Sequence, residues 1–128
     1  MAYPADRNYT KDHEWIRIAG DTGEVGITDY AQQQLGDVVY VELPDIGRTV
    51  TAGESFGSIE SVKAVSELFA PMTGEVVAVN DHLKGHPEVI NTDPHGTWMI
   101  KVRLAGPADS GSLLDASQYQ AHLVGRSD

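Results

Sequence analysis

The 128-residue chain contains no cysteine, which excludes a disulfide framework, a thiolate metal site and a cysteine nucleophile. The same absence favours a reducing compartment. Aromatic residues are few, with two Phe and two Trp. The bulky packers beside the aliphatics are therefore Phe56, Phe69, Trp15, Trp98 and the methionines Met1, Met72 and Met99. Positive charge is scarce too: nine Lys and Arg face nineteen Asp and Glu, a formal net charge of −10. A field of that sign repels phosphate backbones and anionic lipid, which argues against nucleic acid or a membrane surface as partner. It suits encounter with basic patches on other proteins, and it serves solubility equally well. No apolar run reaches the length of a membrane span. Met1 to Thr10 carry neither an apolar signal core nor an arginine-rich amphipathic pattern, so the expected location is the cytoplasm.

What is present suffices for one domain over residues 1–128. A hydrophobic content of 41% supplies a single core, and a domain of this size needs no metal or disulfide staple. Glu14 to Ala19 alternates as a strand, Gly20-Asp21-Thr22-Gly23 signals a turn, and Glu24 to Ile27 returns. Thr28 can cap a short helix through Leu35, with Gly36 as its stop. Val38 to Leu43 is β-branched and aromatic, hence a strand. Short strands broken by Pro and Gly continue to Val79. After Asn80 the text turns irregular, with one helical turn expected at Pro87 to Ile90 and a loop at Asn91 to Gly96. Trp98 to Leu104 alternates as a half-buried strand that Gly106-Pro107 ends. Ala116 to Val124 reads as a C-terminal helix with Ser117 as its cap. The expected class is mainly β with short helices.

A faint internal repeat organises the middle. Pro44-Asp45-Ile46-Gly47-Arg48-Thr49-Val50 matches Pro71-Met72-Thr73-Gly74-Glu75-Val76-Val77 as Pro-x-x-Gly-x-x-Val, 27 residues apart. The same offset carries Lys63 back to Gly36, so Lys63-Ala64 would occupy a turn equivalent to Gly36-Asp37. Two half-domains of this kind could not bury their apolar faces separately, but facing each other they form a flattened sandwich.

Of the four lysines, Lys11, Lys84 and Lys101 sit in ordinary polar surroundings. Lys63 differs, standing between two strand-like runs, Ser58 to Val62 and Ala64 to Phe69. At the tip of a tight hairpin its amine would be exposed, its backbone held by pairing on both sides, and Ala64 would leave room for a modifying enzyme. A shift of one residue would turn the side chain to the other face. An exposed lysine blunting a strand edge has the same local pattern.

Several segments together resemble the glycine cleavage system H-protein family. They are Tyr9 to Trp15, Gly26-Ile27-Thr28-Asp29-Tyr30-Ala31, Leu35-Gly36-Asp37-Val38-Val39, Val41-Glu42-Leu43-Pro44, and Gly53 to Ala64 with its Glu-Ser-Val-Lys-Ala. The likeness continues through Pro71-x-x-Gly74-Glu75-Val76 and Asn91-x-Asp93-Pro94 to the C-terminal helix. It implies a biotinyl/lipoyl-carrier-type sandwich (a hybrid barrel-sandwich), with a lipoyl-binding core at about 24–104 and a helical segment at about 112–125. It implies (R)-lipoate bound covalently to Lys63, and a carrier rather than an enzyme. The arm would take an aminomethyl group from a pyridoxal-phosphate glycine decarboxylase to a tetrahydrofolate-dependent aminomethyltransferase, then meet dihydrolipoamide dehydrogenase; a lipoate-attaching enzyme is a further partner. Glu14 and Glu67 are the implied residues sheltering the loaded arm, and solvated surface acids are the alternative reading of both. The family pattern Asp-Pro-Tyr-Gly-x-Gly-Trp becomes Asp93-Pro94-His95-Gly96-Thr97-Trp98 here, one residue shorter and with His95 for the aromatic, which bears on the loop and its docking role.

Three other readings were open. A lipoyl relay, passing lipoyl groups to other enzymes, would share the whole pattern. Gly53-Glu54-Ser55-Phe56-Gly57 fits the G-x-S-x-G elbow of a hydrolase with Ser55 as nucleophile, but the residues after it alternate as a strand and the chain is too short for the required sheet. Among the five histidines only His82 and His86 have helical ligand spacing, and Gly85-His86-Pro87 interrupts it, so no metal site is expected.

Overall fold

The computed structural model describes residues 3–105 and 113–126. The expected strand stop at Gly106-Pro107 and the start of the helical segment at residue 112 lie outside the described residues. The strands are β1 (Asn8–Tyr9), β2 (Glu14–Ala19), β3 (Thr22–Ile27), β4 (Val38–Glu42), β5 (Thr49–Val50), β6 (Ser55–Ser61), β7 (Val65–Phe69), β8 (Gly74–Val79) and β9 (Ile100–Leu104). The helices are α1 (Asp29–Leu35), α2 (His82–Gly85), α3 (Val89–Thr92) and α4 (Ala116–Arg126). A six-stranded sheet runs β1-β2-β3-β9-β8-β5 and a three-stranded sheet β4-β6-β7, with antiparallel pairing throughout. Val25, Val50, Val76, Ile100 and Val102 from the larger sheet and Val41, Phe56, Ile59 and Leu68 from the smaller share one buried cluster.

Local chemistry explains the element ends. Thr28 is extended, its Oγ1 accepts the Ala31 amide at 3.2 Å, and α1 begins there. Gly36 ends α1 at φ 75°, donating its N–H to the Gln32 carbonyl. In β9, Ile100, Val102 and Leu104 point inward, as alternation requires.

The repeat has a spatial counterpart. β4 and β7, offset by 27 residues, flank β6 on its two sides, while β5 pairs with β8. Thr49 faces Glu75, Val50 faces Gly74, and Gly47 and Arg48 exchange hydrogen bonds with Val76. Matched segments thus lie against each other about a local two-fold.

Four details differ from the sequence reading. The polar lead-in contributes β1, because Tyr9 pairs with Trp15 and bridges to Leu114. His82–Gly85 folds into one helical turn, and the next turn is displaced to Val89–Thr92. The last strand starts at Ile100 rather than Trp98. Ser117 is not the cap of α4: Asp115 is, its carboxylate accepting the Gln118 amide at 2.8 Å while Gln118 Oε1 accepts the Asp115 amide at 2.9 Å. This reciprocal capping box satisfies two orphan amides, where Ser117 could satisfy one.

Candidate functional site

Lys63 occupies the turn between β6 and β7. The strands pair up to Glu60 opposite Val65, and the Ser61 amide then donates to the Ala64 carbonyl at 2.8 Å. The buried Ser61 hydroxyl closes the turn from inside, accepting the amides of Lys63 (3.3 Å) and Ala64 (3.1 Å). On the opposite side the Val62 amide donates to the Asp37 carbonyl at 3.0 Å, fastening the turn to the start of β4. The backbone under Lys63 is therefore bonded on three sides while its side chain is exposed. Lys84 pairs with Asp81 at 3.4 Å and Lys101 with Glu24 at 3.5 Å; among the described residues no carboxylate pairs with Lys63. Ser61, which the sequence reading did not single out, shapes the turn that carries Lys63. Its signal was a hydroxyl two places before the lysine, a spacing that side-chain-to-backbone turns favour.

A cleft of about 330 Å³ opens beside this turn. Asp12, His13 and Glu14 form one wall, Ala31, Gln34 and Leu35 of α1 another, and the run Ala64 to Leu68 leads in from the lysine. Glu14 and Glu67 line the same space but differ in state. Glu67 is exposed on β7, opposite Ser58. Glu14 is 2% exposed, and its carboxylate accepts the Thr10 hydroxyl at 2.7 Å and the Phe69 amide at 3.2 Å. Burial pushes the Glu14 carboxyl up to about 7, although both hydrogen bonds act against the rise. A larger groove of about 520 Å³ runs over the outer face of the three-stranded sheet past Glu42, Arg48 and Ser58 and shares only Val65 and Glu67 with the cleft.

The shortened loop packs inward. His95 Nε2 accepts the Asp29 amide at 3.1 Å, at the first turn of α1, and the His95 carbonyl accepts from Arg7 at 2.7 Å. Trp15 donates its indole N–H to the Pro94 carbonyl at 3.1 Å. His95 thus braces the start of the helix that walls the cleft.

Ser55 opens β6, its hydroxyl donates to the Gly57 carbonyl at 3.2 Å, and a strand follows it, so the elbow geometry of a hydrolase nucleophile is not formed. The His82 and His86 rings stack at 4.6 Å. Among the described residues no group of three or more His, Asp and Glu side chains could hold a metal ion, and no helix is long and apolar enough to cross a membrane.

Residues 7–125 match the family model described as glycine cleavage H-protein. The glycine cleavage system H protein of Koribacter versatilis is 58% identical over 120 residues, covering 94% of this chain and 93% of the relative. That of Acidobacterium capsulatum is 57% identical over 123 residues, covering 96% and 95%. A crystal structure of a glycine cleavage system H protein from Mycobacterium marinum superposes with a TM-score of 0.88 at 45% identity, covering 95% of this chain and 99% of that one. The chain belongs to the glycine cleavage H-protein family, whose members are lipoyl carriers and not catalysts.

Proposed function

We propose that Lys63 Nζ bears (R)-lipoate as an amide, and that the adjoining cleft shelters the loaded arm between visits to the enzymes of glycine cleavage. The observation that carries this is the exposed amine, without a carboxylate partner among the described residues, on a turn stitched by Ser61 at the mouth of a cleft containing a buried carboxyl. When attached, the lipoyl group supplies a reducible disulfide, and through it the thiol that holds an aminomethyl group. The chain's own residues present and protect. The Ser61 and Asp37 bonds fix the direction of Lys63, so each partner meets the tether in one orientation. Glu14 and Glu67 face the cargo's ammonium, where a charge-assisted hydrogen bond contributes roughly 1.5–3 kcal/mol. Glu14, near half-protonation at neutral pH, is drawn to its charged form by the cation.

The partners in this reading are the pyridoxal-phosphate glycine decarboxylase, the tetrahydrofolate-dependent aminomethyltransferase, dihydrolipoamide dehydrogenase and a lipoate-attaching enzyme, met in the cytoplasm. Each must release the carrier every cycle, so the acidic surface serves encounter rate more than tight affinity. Expression with lipoate, followed by intact-mass analysis and peptide mapping, tests the site: the expected adduct is on Lys63, and one on Lys11, Lys84 or Lys101 instead overturns it. For shelter, the loaded arm should lose its cargo faster in Glu14→Gln, and an unchanged rate removes Glu14 from that role.

A further inference from the structure

The C-terminal helix reaches the cleft walls through Tyr119, and its His122 ring lies 6.2 Å from that of His13. Tyr119 of α4 is fully buried and its ring stacks on Tyr9 with centroids 4.9 Å apart. Its phenol oxygen lies 2.7 Å from His13 Nδ1 and 2.8 Å from Thr28 Oγ1. These two partners belong to different walls of the cleft. Thr28 caps α1, which supplies Ala31, Gln34 and Leu35. His13 belongs to the turn that aims Glu14, and its backbone stands at φ 73°, a left-handed conformation uncommon outside glycine that His adopts more readily than most residues. Such a conformation persists where its surroundings over-determine it. Here the His13 amide donates to the Thr10 carbonyl at 3.1 Å, its carbonyl accepts the Thr28 amide at 3.0 Å, and its ring meets Tyr119. Thr10 in the same turn donates to the Glu14 carboxylate.

We propose that Tyr119 is a positioning residue: its hydroxyl adds a side-chain bridge to the backbone bond between Thr28 and His13, and so holds the Glu14 carboxyl toward the cargo. The proposal rests on the sheltering role of the cleft argued above. Removing the hydroxyl alone leaves the stacked ring and the Thr28–His13 backbone bond in place but frees the His13 ring, loosening the turn at residues 10–14 enough for water to reach Glu14. The groups facing Glu14 are otherwise unchanged: the Thr10 hydroxyl, Asp12 and His13 in its own turn, the Phe69 amide and Glu67 on β7, and Lys11, which with Glu14, Phe69 and Leu113 lines a separate cavity of about 310 Å³.

The test begins with the full-length, unlipoylated protein and follows the Glu14 carboxyl by carbon NMR during a pH titration. In Tyr119→Phe the Glu14 midpoint should fall by about one unit toward the ordinary carboxylate range. His13→Gly, which suits the left-handed backbone and has no side chain to reach the phenol, should give the same fall. The double variant should fall no further, because both changes break one link. A second readout uses the lipoylated, loaded protein. Hydrolysis of the aminomethyl thioether consumes one water and yields the free thiol, formaldehyde and ammonium, which are assayed directly. Release should rise several-fold in Tyr119→Phe and rise no further when that change is added to Glu14→Gln. An unmoved Glu14 midpoint in both single variants, or additive effects on release, overturns the proposal; should Tyr119→Phe not fold, His13→Gly decides alone. If Glu14→Gln itself leaves release unchanged, the sheltering reading fails, and the NMR midpoint still decides whether Tyr119 positions Glu14.

Discussion

Gly36 lies directly against the Lys63 side chain: a β-carbon placed on Gly36 would stand 3.4 Å from Lys63 Cε. The contact joins the end of α1 to the lysine turn. Gly36 itself has φ 75° and ψ −156°, a region essentially restricted to glycine. Gly36→Ala should therefore cost about 1–3 kcal/mol of stability. The added methyl would meet only the flexible end of an exposed side chain at ordinary van der Waals distance, so modification of Lys63 in the folded variant should keep its rate. Chemical denaturation checks the first effect and the rate of lipoyl attachment the second.

The tether's direction depends on where the lysine stands in its turn. Exchanging the two residues, Lys63→Ala with Ala64→Lys, preserves composition and charge but moves the amine one place along a turn whose amides are bound to Ser61. In a strand-bounded turn one residue reverses the face presented. The exchanged protein should fold with a melting temperature near that of the parent and accept no lipoyl group, which intact-mass analysis reads out.

Glu14 gives stability a pH dependence of definite sign. Its folded midpoint of about 7 lies above its ordinary 4.5, so between these values the unfolded chain has lost a proton that the folded protein keeps. Stability is thus fully present below 4.5 and declines as pH rises toward 7, a loss on the order of 2–3 kcal/mol. Glu14→Gln should flatten the profile across that window and raise the melting temperature above it, at the same time as it weakens cargo retention. Denaturation at a series of pH values measures the slope.

His95 acts in the opposite direction. Burial, with Arg7 beside it, holds its imidazole below the ordinary 6.5, and Nε2 accepts the Asp29 amide only while unprotonated. Below 6.5 the unfolded chain takes up a proton that the folded protein resists, so stability is present above that pH and falls as pH drops through the folded value. The slope should be clearest in Glu14→Gln, where the opposing change is gone. There His95→Phe should abolish it, at a cost of about 1–3 kcal/mol for the amide left without an acceptor.

Much of this was legible in one dimension. Alternation at Glu14 to Ala19 and Trp98 to Leu104, the Thr28 cap and the Gly36 stop are local signals, and the strands and helix they imply are present with small shifts at the ends. The Pro-x-x-Gly-x-x-Val repeat, seven residues long, implied two facing half-domains, and its two copies pair as β5 and β8. The C-terminal cap was misread because Ser117 and Asp115 are both good capping residues, and their choice rests on the reciprocal bond with Gln118. β1 escaped notice because two residues carry no period, and it is held on one side by neighbouring Trp15 and on the other by Leu114 far along the chain.

The amino-acid order alone determined the class, the family resemblance and the singular surroundings of Lys63, since periodicity, turn chemistry and motif spacing are written along the chain. Only the tertiary structure separated Glu14 from Glu67, burying one and exposing the other. It also brought Tyr119 to His13 across 106 positions and carried His95 to the start of α1, 66 positions away. Burial and long-range hydrogen bonding depend on what packs against a residue from elsewhere, and no local pattern of residues contains that information.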